Sequence, residues 1–328
     1  MSCEILQVDP QTPDISAIAR AAHVLQSGGL VAFPTETVYG LGANALNADA
    51  VARIFAAKGR PAVNPIIVHV ESLDEARKLA SAWSDLAELL AARFWPGPLT
   101  LVLPKRECVP DLVTAGGPTV ALRVPAHPVA LALLRACGMP LAAPSANRST
   151  ELSPTRADHV MRGLADRIDL LLDAGPTSGG LESTVLDLTT DPPRLLRPGL
   201  VTAAQLEAII GPLDPAAPND SQTLRSPGQM LRHYAPKTPL EMTSDSRRRV
   251  EELCGVGMRV GWLTHFDDGT TVAMRIVLPA DAAGYSAGLY AALHQLDAAG
   301  LDRIVVETPP EGDEWLAVHD RIRRASSI

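Results

Sequence analysis

One arginine lies inside an apolar run, in the segment TVALRVPAHP at residues 119–128. Val120, Leu122 and Val124 flank it, so a strand at this position would bury Arg123. A buried guanidinium is costly unless it meets an anion. Its planar fork also matches the geometry of a carboxylate or a phosphate. Arg123 therefore indicates a site for an anionic ligand.

Other polar clusters also begin where apolar runs end. They are PTETVYGLG at 34–42, KGRPAVNP at 58–65, IIVHV at 66–70, APSANRSTELSPT at 143–155, ESTVLD at 182–187 and RPG at 197–199. Ligands of α/β proteins bind at strand ends and in the loops that follow them. We therefore expect these clusters to meet in one site.

Each cluster also has an ordinary structural explanation. Thr35 and Thr37 could form a turn after Pro34, and His69 could be a hydrogen-bonded core histidine. Lys58 and Arg60 could simply complement the dipole at the end of a helix. Ser153 could cap a helix, and Arg197 could be a solvated charge in a loop. These explanations weaken together, because one chain would need many unrelated polar residues at strand ends.

Several common catalytic motifs are absent from the sequence. It has no GxxxxGK[ST] phosphate loop, no GxGxxG opening a helix and no HExxH. Ser145 lies in PSAN and not in a GxSxG elbow, so a hydrolase nucleophile is not expected. The four cysteines are widely separated, which indicates a reducing compartment and neither a disulfide framework nor a metal site.

The composition is that of a soluble globular protein with two domains. Of its 328 residues, 46% are hydrophobic and only 4% aromatic, so Ala, Leu and Val must form most of the core. No apolar run is long enough for a membrane span, and no signal peptide is evident, so we expect a cytoplasmic protein. The net charge of −8 disfavours tight sequence-independent nucleic-acid binding. An anion site must therefore be a local concentration of Arg and Lys.

Strands and helices alternate before a proline-rich stretch. Asp14 can cap a helix with Ile18, Ala21, Ala22 and Leu25 inward, and a second helix fits Ala48–Lys58. The predicted strands are Leu30–Phe33, Ile66–Val70, Leu99–Leu103, Val120–Val124, Leu170–Asp173 and Thr184–Leu188. We expect Gly40 and Gly42 to let the backbone turn away beside the ligand.

The prolines between residues 212 and 239 indicate an extended connector. We therefore predict a catalytic domain at 1–211, a linker at 212–239 and a smaller domain at 240–328. In the last, MRVGWLT, a helix across Ala282–Ala299 and RIVVE predict an α/β unit with a parallel sheet.

In order, these motifs resemble the YrdC-type domain, and SPGQMLRHYAP with the C-terminal unit resembles the two-domain threonylcarbamoyl-AMP synthases. The resemblance covers nearly the whole chain. This sequence departs from the family's SANxSG motif at Thr150, where the family has glycine. The loop therefore lacks a residue that readily adopts positive φ. The resemblance implies a twisted mixed sheet with surrounding helices around a positively charged cavity, plus a smaller Rossmann-like domain.

The resemblance further implies an enzyme that converts L-threonine, bicarbonate or CO2, and ATP into threonylcarbamoyl-AMP, pyrophosphate and water. Mg2+ would accompany ATP, without protein side chains as ligands. The adenylate would pass to a separate transferase that modifies adenosine 37 of certain tRNAs.

By the same resemblance, most motif residues acquire a role. Threonine binding falls to Thr37, His69, Arg123, Ala143 and Ser183. Lys58 and Arg60 are the expected catalytic residues. The residues expected to bind ATP are Arg60, Asn64, Thr119, Ser145, Ser153, Arg197 and Tyr234. For Tyr234 to reach ATP, SPGQMLRHYAP must fold back over the cavity, and we expect it to act as a lid.

Two alternatives remain from the sequence. A hydrogenase-maturation carbamoyltransferase contains a similar domain, but it also has zinc-finger-like cysteines, against which the four scattered cysteines argue. An RNA-binding or ribosome-assembly module with a YrdC-like fold is disfavoured by the charge balance.

Overall fold

The computed structural model describes residues 3–214, 234–267 and 269–326. It contains a sheet of ten strands and, later in the chain, a separate sheet of four. This confirms the predicted fold class, a mixed α/β sheet followed by a smaller α/β unit. The boundaries at 211 and 239 stay predictions. Most of the predicted linker and lid, residues 215–233, lies outside the described residues.

The large sheet has the strand order β1-β8-β2-β3-β7-β4-β6-β5-β9-β10. Its strands are β1 Glu4–Gln7, β2 Val31–Phe33, β3 Gly40–Asn44, β4 Ile67–His69, β5 Leu99–Pro104, β6 Thr119–Arg123, β7 Leu141–Ala142, β8 Leu170–Asp173, β9 Thr184–Asp187 and β10 Arg194–Arg197. Strands β4 and β6 are parallel neighbours, with His69 paired to Arg123. All six strands predicted before the connector are therefore confirmed, with ends that differ by one residue at most.

The helices of the first unit cover the sheet and connect its strands. They are α1 Ile15–Gln26, α2 Ala48–Lys58, α3 Leu73–Arg77, α4 Asp85–Phe94, α5 Asp111–Thr114, α6 Pro128–Cys137, α7 Ala157–Leu164 and α8 Ala203–Ile210. Asp14 caps α1 as predicted, because its carboxylate accepts hydrogen bonds from two backbone N–H groups of the first turn.

Strand alternation explains why the middle of the sheet has one helix-covered face and one open to a ligand. Val68 and Leu122 belong to the main core, which also includes residues from α2 and α4. Their neighbours Ile67 and Ala121 point to the opposite face and form a small separate cluster with Val102 and Val185. The candidate site described below lies on the side of Ile67.

The second unit is an all-parallel sheet of order β11-β14-β12-β13. Its elements are β11 Leu240–Thr243, α9 Ser246–Gly255, β12 Val260–Thr264, β13 Met274–Val277, α10 Ala282–Asp297, β14 Arg303–Glu307, a 3-10 turn at Asp313–Trp315 and α11 Leu316–Ala325. The parallel sheet, the long helix and the RIVVE strand confirm the prediction for this region. None of the described helices is both long and apolar enough to cross a membrane.

The second unit packs directly on the first. Val38, Leu152 and Leu181 of the first unit belong to the same hydrophobic cluster as the core of α10 and α11. Gly180 has φ +74°, and a Cβ there would lie 2.2 Å from the Ser286 carbonyl oxygen. The backbone of α10 therefore lies so close to the loop before β9 that only glycine fits at position 180.

The prediction for Gly40 and Gly42 is wrong. Both lie in β3, which pairs antiparallel with β2, and neither has a positive φ. The need for glycine at 42 is steric, because a Cβ there would lie 2.8 Å from the ring of Phe33. The backbone therefore continues as a strand, and the close approach of Phe33 excludes a side chain.

Candidate active site

A cavity lies beside Ile67, between the ends of β4, β6 and β10 and the loops after β2 and β7. Nine of the residues predicted from the sequence line it: Thr37, Arg60, His69, Arg123, Ala143, Ser145, Ser183, Arg197 and Tyr234. The structure thus brings together side chains from segments up to 197 residues apart.

Four other predicted residues do not line this cavity but lie around it. Lys58 lies under the loop after β7, where its ammonium group donates hydrogen bonds to the carbonyls of Ser145, at 2.5 Å, and Asn147. Ser153 is buried and donates a hydrogen bond of 2.5 Å to Glu182, which does line the cavity. Asn64 and Thr119 lie near the amino ends of β4 and β6.

The Asn64 carbonyl accepts a hydrogen bond of 3.3 Å from Nε of Arg60. Thr119 is the first residue of β6, two positions before Ala121, which pairs with Ile67. Both residues therefore lie at the amino end of the strand pair, whereas Arg123 ends β6. The length of β6 between these ends is about 13 Å. An extended ligand lying along β6 could reach from one end to the other.

Three groups fix the guanidinium of Arg123. Nε donates to the Gly97 carbonyl at 3.1 Å, and Nη1 donates to the Thr37 hydroxyl at 3.1 Å. Nη2 lies 2.6 Å from a carboxylate oxygen of Glu36, in a buried ion pair. Arg123 thus has a fixed orientation and a counter-ion from the loop after β2.

The loop after β2 combines turn formation with a cavity wall. The Thr35 hydroxyl lies 2.7 Å from that of Thr37, donates to the Val38 carbonyl and accepts from two backbone N–H groups. Thr35 is therefore the turn former that the ordinary explanation describes. Thr37 faces Arg123. Glu36 lies in the PTETVYGLG motif, but no role was predicted for it from the sequence.

His69 is neutral at physiological pH. Burial, and then the positive charge of Arg123, lower the pKa of His69 to about 3. Its Nδ1 is buried without a hydrogen-bond partner within the described residues. A neutral imidazole on the cavity wall can exchange one hydrogen bond with a ligand and adds no charge.

Buried cations concentrate on one side of the site. Lys58, Arg60 and Arg197 are between 2% and 7% exposed. Burial, followed by the charge of Arg60, lowers the pKa of Lys58 well below its usual value. Burial also lowers the pKa of Arg60, to about 10, and the charge of Arg197 adds to this effect. An anionic ligand would relieve this repulsion, which makes the region suitable for phosphates.

Ser183 joins the cation side to the Arg123 side. Its hydroxyl lies 2.7 Å from that of Thr100, and its carbonyl and hydroxyl both accept hydrogen bonds from Arg197. The same residue can therefore present a hydroxyl to one part of a ligand while it orients the arginine for another.

Glu182 is a cavity residue that sequence reasoning missed. It is buried, and its carboxylate accepts hydrogen bonds from Ser153 and from two residues of the second unit, Tyr290 and Arg321. Burial alone would raise the pKa of Glu182, but Arg321 and then Arg197 lower it to about 2. Its position could have indicated this role, because Glu182 is a charged residue beside the apolar residues of LESTVLDL. The same feature, a charged residue in an apolar run, identified Arg123.

Within the described residues, no group of three or more His, Cys, Asp or Glu side chains is arranged to hold a metal ion. The cavity carboxylate is also engaged, because Glu182 accepts hydrogen bonds at both oxygens.

Thr150 adopts the positive φ expected of the glycine it replaces. Its φ is +71°, and its carbonyl accepts a 2.9 Å hydrogen bond from the N–H of Ala235. A threonine in this left-handed conformation carries backbone strain that a glycine would not. This bond also fixes the residue after Tyr234, which itself has φ +61°.

Comparisons with known proteins show the family of this chain. The Sua5/YciO/YrdC family model, described as "Telomere recombination", matches residues 23–199. A second, described as "Threonylcarbamoyl-AMP synthase, C-terminal domain", matches residues 201–327. The curated threonylcarbamoyl-AMP synthase of Bacillus subtilis is 44% identical over 98% of this chain and 95% of its own length. That of Pyrococcus abyssi is 46% identical over 93% of each.

A solved structure is similar over almost the whole length. The crystal structure of P. abyssi Sua5 complexed with L-threonine has a TM-score of 0.93 and 43% sequence identity, covering 98% of this chain and 97% of the other. The E. coli YciO structure, with a TM-score of 0.55 and 26% identity, covers 60% of this chain and 96% of its own. The similarity to YciO therefore does not extend over the second unit.

The strain at Thr150 generates a stability prediction. Thr150→Gly should raise the free energy of unfolding by about 0.5–1 kcal/mol, because relief of the left-handed conformation exceeds the added entropy of the unfolded chain. Thr150→Ala, which keeps the Cβ, is the control and should gain less than Thr150→Gly. Urea denaturation of the three proteins measures this, and a Thr150→Gly protein less stable than Thr150→Ala would contradict it.

Proposed function

Because this chain belongs to the threonylcarbamoyl-AMP synthase family, we propose that its cavity joins L-threonine, CO2 or bicarbonate, and ATP into threonylcarbamoyl-AMP, releasing pyrophosphate and, when bicarbonate is the source, water. The chain is an enzyme of that class, and threonine is a substrate. The observation that carries the proposal for the site is one cavity that is lined by Arg123 and Thr37, by Arg60 and Arg197, and by Ser183, which contacts Arg197.

We assign threonine to the Arg123 side. The threonine carboxylate would pair with the guanidinium of Arg123 in competition with the Glu36 carboxylate, which lies 2.6 Å from Nη2. Thr37 and Ser183 would bind through their hydroxyls, His69 through its neutral imidazole and Ala143 through its backbone. The proposal is supported by the fixed orientation of Arg123 and by the P. abyssi protein, whose crystal structure contains L-threonine.

We assign the phosphates of ATP to the cation side. Arg60 and Arg197 would contact them directly, and Lys58 would act through the two loop carbonyls that it holds, while its charge favours the anion. Ser145 and Tyr234 would complete the wall around the nucleotide, and Ser153 would act through its hydrogen bond to Glu182. Asn64 and Thr119 lie farther along β4 and β6, where the nucleoside end of ATP would extend.

The reaction needs positioning more than covalent help. The threonine nitrogen adds to CO2, losing a proton and forming an N–C bond to give a carbamate. A carbamate oxygen then bonds to the α-phosphorus, while the bond from that phosphorus to the bridging oxygen breaks and pyrophosphate leaves. If bicarbonate is the source, one water is lost as well. Arrangement of two anions side by side and compensation of phosphate charge account for the catalysis.

Mg2+ would reach the site on the phosphates of ATP. When bound, the ion would neutralise phosphate charge and orient the pyrophosphate leaving group. No side chain of the described residues is assigned as its ligand. The arginines supply the remaining positive charge.

The product is an activated acyl group, so it requires an acceptor enzyme. A separate tRNA threonylcarbamoyl transferase would take the threonylcarbamoyl group to adenosine 37, and the family's role in tRNA modification is consistent with this step. We place the enzyme in the cytoplasm, where ATP and tRNA are available. The net charge of −8 argues against tight binding of tRNA by this chain itself.

Omission of single substrates tests the function. Pyrophosphate should be released from ATP only when threonine and bicarbonate are both present. Replacement of threonine by serine should lower the rate, because serine lacks a methyl group that the pocket would bury. A chain that binds tRNA in a gel-shift assay but releases no threonine-dependent pyrophosphate would instead be an RNA-binding module.

Arg60 provides a test of the phosphate assignment. Arg60→Ala should lower the turnover number about 100-fold, as does the loss of one transition-state donor in other enzymes. Arg53→Ala is the matched control, because Arg53 lies on the adjacent helix α2 and makes an exposed ion pair with Asp169, 2.9 Å long. Equal turnover in the two variants at saturating ATP would remove Arg60 from the mechanism.

A further inference from the structure

The second unit reaches the active site through one buried side chain. Arg321 of α11 is fully buried and donates from Nε to the Glu182 carboxylate at 2.7 Å. Its Nη2 donates to the carbonyl of Pro198 at 3.1 Å, and its guanidinium lies 5.1 Å from the ring centroid of Tyr234. One guanidinium therefore contacts three segments that carry predicted site residues: ESTVLD with Ser183, RPG with Arg197 and the end of the connector with Tyr234.

The other contacts of the second unit converge on the same place. The hydroxyl of Tyr290, on α10, lies 3.2 Å from each oxygen of Glu182. The ring of Tyr290 also lies 5.9 Å from that of Tyr234. The close approach of α10 to Gly180 occurs two residues before Glu182. These contacts show that α10 and α11 hold the segment that carries Glu182 from one side.

The position of Glu182 makes its partner important for the chemistry. Glu182 lines the same cavity as Arg197, to which it is electrostatically coupled. A carboxylate inside a phosphate-binding site opposes the ligand unless a cation from outside the site neutralises it. Arg321 occupies that outer position and draws the carboxylate toward the second unit.

We propose that Arg321 is a positioning residue of the active site: it holds the Glu182 carboxylate and the Tyr234 ring, so that Arg197 acts on the phosphates of ATP and not on Glu182. This rests on the proposed function for the identity of the ligand. It also assigns a role to the second unit, which supplies a counter-charge to the cavity of the first.

A rescue experiment tests the proposal. In Arg321→Met, Glu182 keeps its carboxylate but loses its external cation and competes with ATP for Arg197. The KM for ATP should rise about tenfold or more, with a smaller change in kcat. In the double variant Arg321→Met with Glu182→Gln, no carboxylate remains to compete, and the KM should return to within about threefold of the wild-type value. Arg323→Met is the matched control, because Arg323 lies on the same helix with an exposed side chain.

The pH dependence separates positioning from a merely structural role. The groups that face Glu182 are Ser153 and Arg197 of the first unit, Tyr234 after the connector, and Tyr290 and Arg321 of the second unit. Without Arg321 the pKa of Glu182 should rise, so in Arg321→Met the KM for ATP should fall as the pH is lowered and Glu182 takes up a proton. The double variant should lack this pH dependence.

Calorimetric binding of the ATP analogue AMPCPP provides a readout that does not need turnover. Its Kd should follow the same pattern, a rise in Arg321→Met and a return in the double variant. If Arg321→Met does not fold, Arg321→Gln serves instead, because a polar but uncharged side chain also removes the counter-charge of Glu182, and the Kd should rise at least about threefold. An unchanged Kd and KM in folded Arg321→Met or Arg321→Gln, or a double variant as weak as the single one, would overturn the proposal. Absence of threonine-dependent turnover in the wild-type chain would overturn the proposed function, while the AMPCPP comparison would still test Arg321.

Discussion

The burial of Arg123 is the constraint on which the rest of the site depends. A guanidinium at the end of a core strand needs partners, and the chain supplies them from Gly97, Thr37 and Glu36. These partners require the loop after β2 to fold against β6, which brings Thr37 onto the cavity wall. The pairing of His69 with Arg123 in adjacent parallel strands adds the neutral imidazole. One buried charge thus determines the position of one side of the cavity.

The second unit supplies a counter-charge that the cavity of the first unit lacks. Arg60 and Arg197 favour a phosphate, but Glu182 lies on the same wall. The ion pair of Glu182 with Arg321 resolves this conflict and at the same time joins the units. A buried ion pair is weak evidence for added stability, because desolvation offsets much of the attraction. The orientation of charge in the site explains this ion pair better than a gain in stability does.

Much of this arrangement could be predicted from the sequence, because local signals report local structure. The capping residue Asp14, the helix Ala48–Lys58 and the strand that carries Arg123 follow from periodicity and burial. Strand β3 was missed because its glycines indicate a turn, whereas the contact with Phe33 that requires Gly42 is made across strands. The partner of Glu182 could not be predicted, since Arg321 lies 139 residues away and no spacing links them. The family resemblance, and not the pattern of residues, supplied the assignment of individual roles.

The most direct test of the account is the affinity for L-threonine in the wild-type chain and in Arg123→Lys, measured by titration calorimetry. A lysine keeps the positive charge but cannot make the paired hydrogen bonds of a guanidinium, so the account predicts at least about a tenfold increase in Kd for Arg123→Lys. Equal threonine affinity in the two proteins would contradict it, because the buried cation at the end of β6 would then not be the group that binds the amino acid.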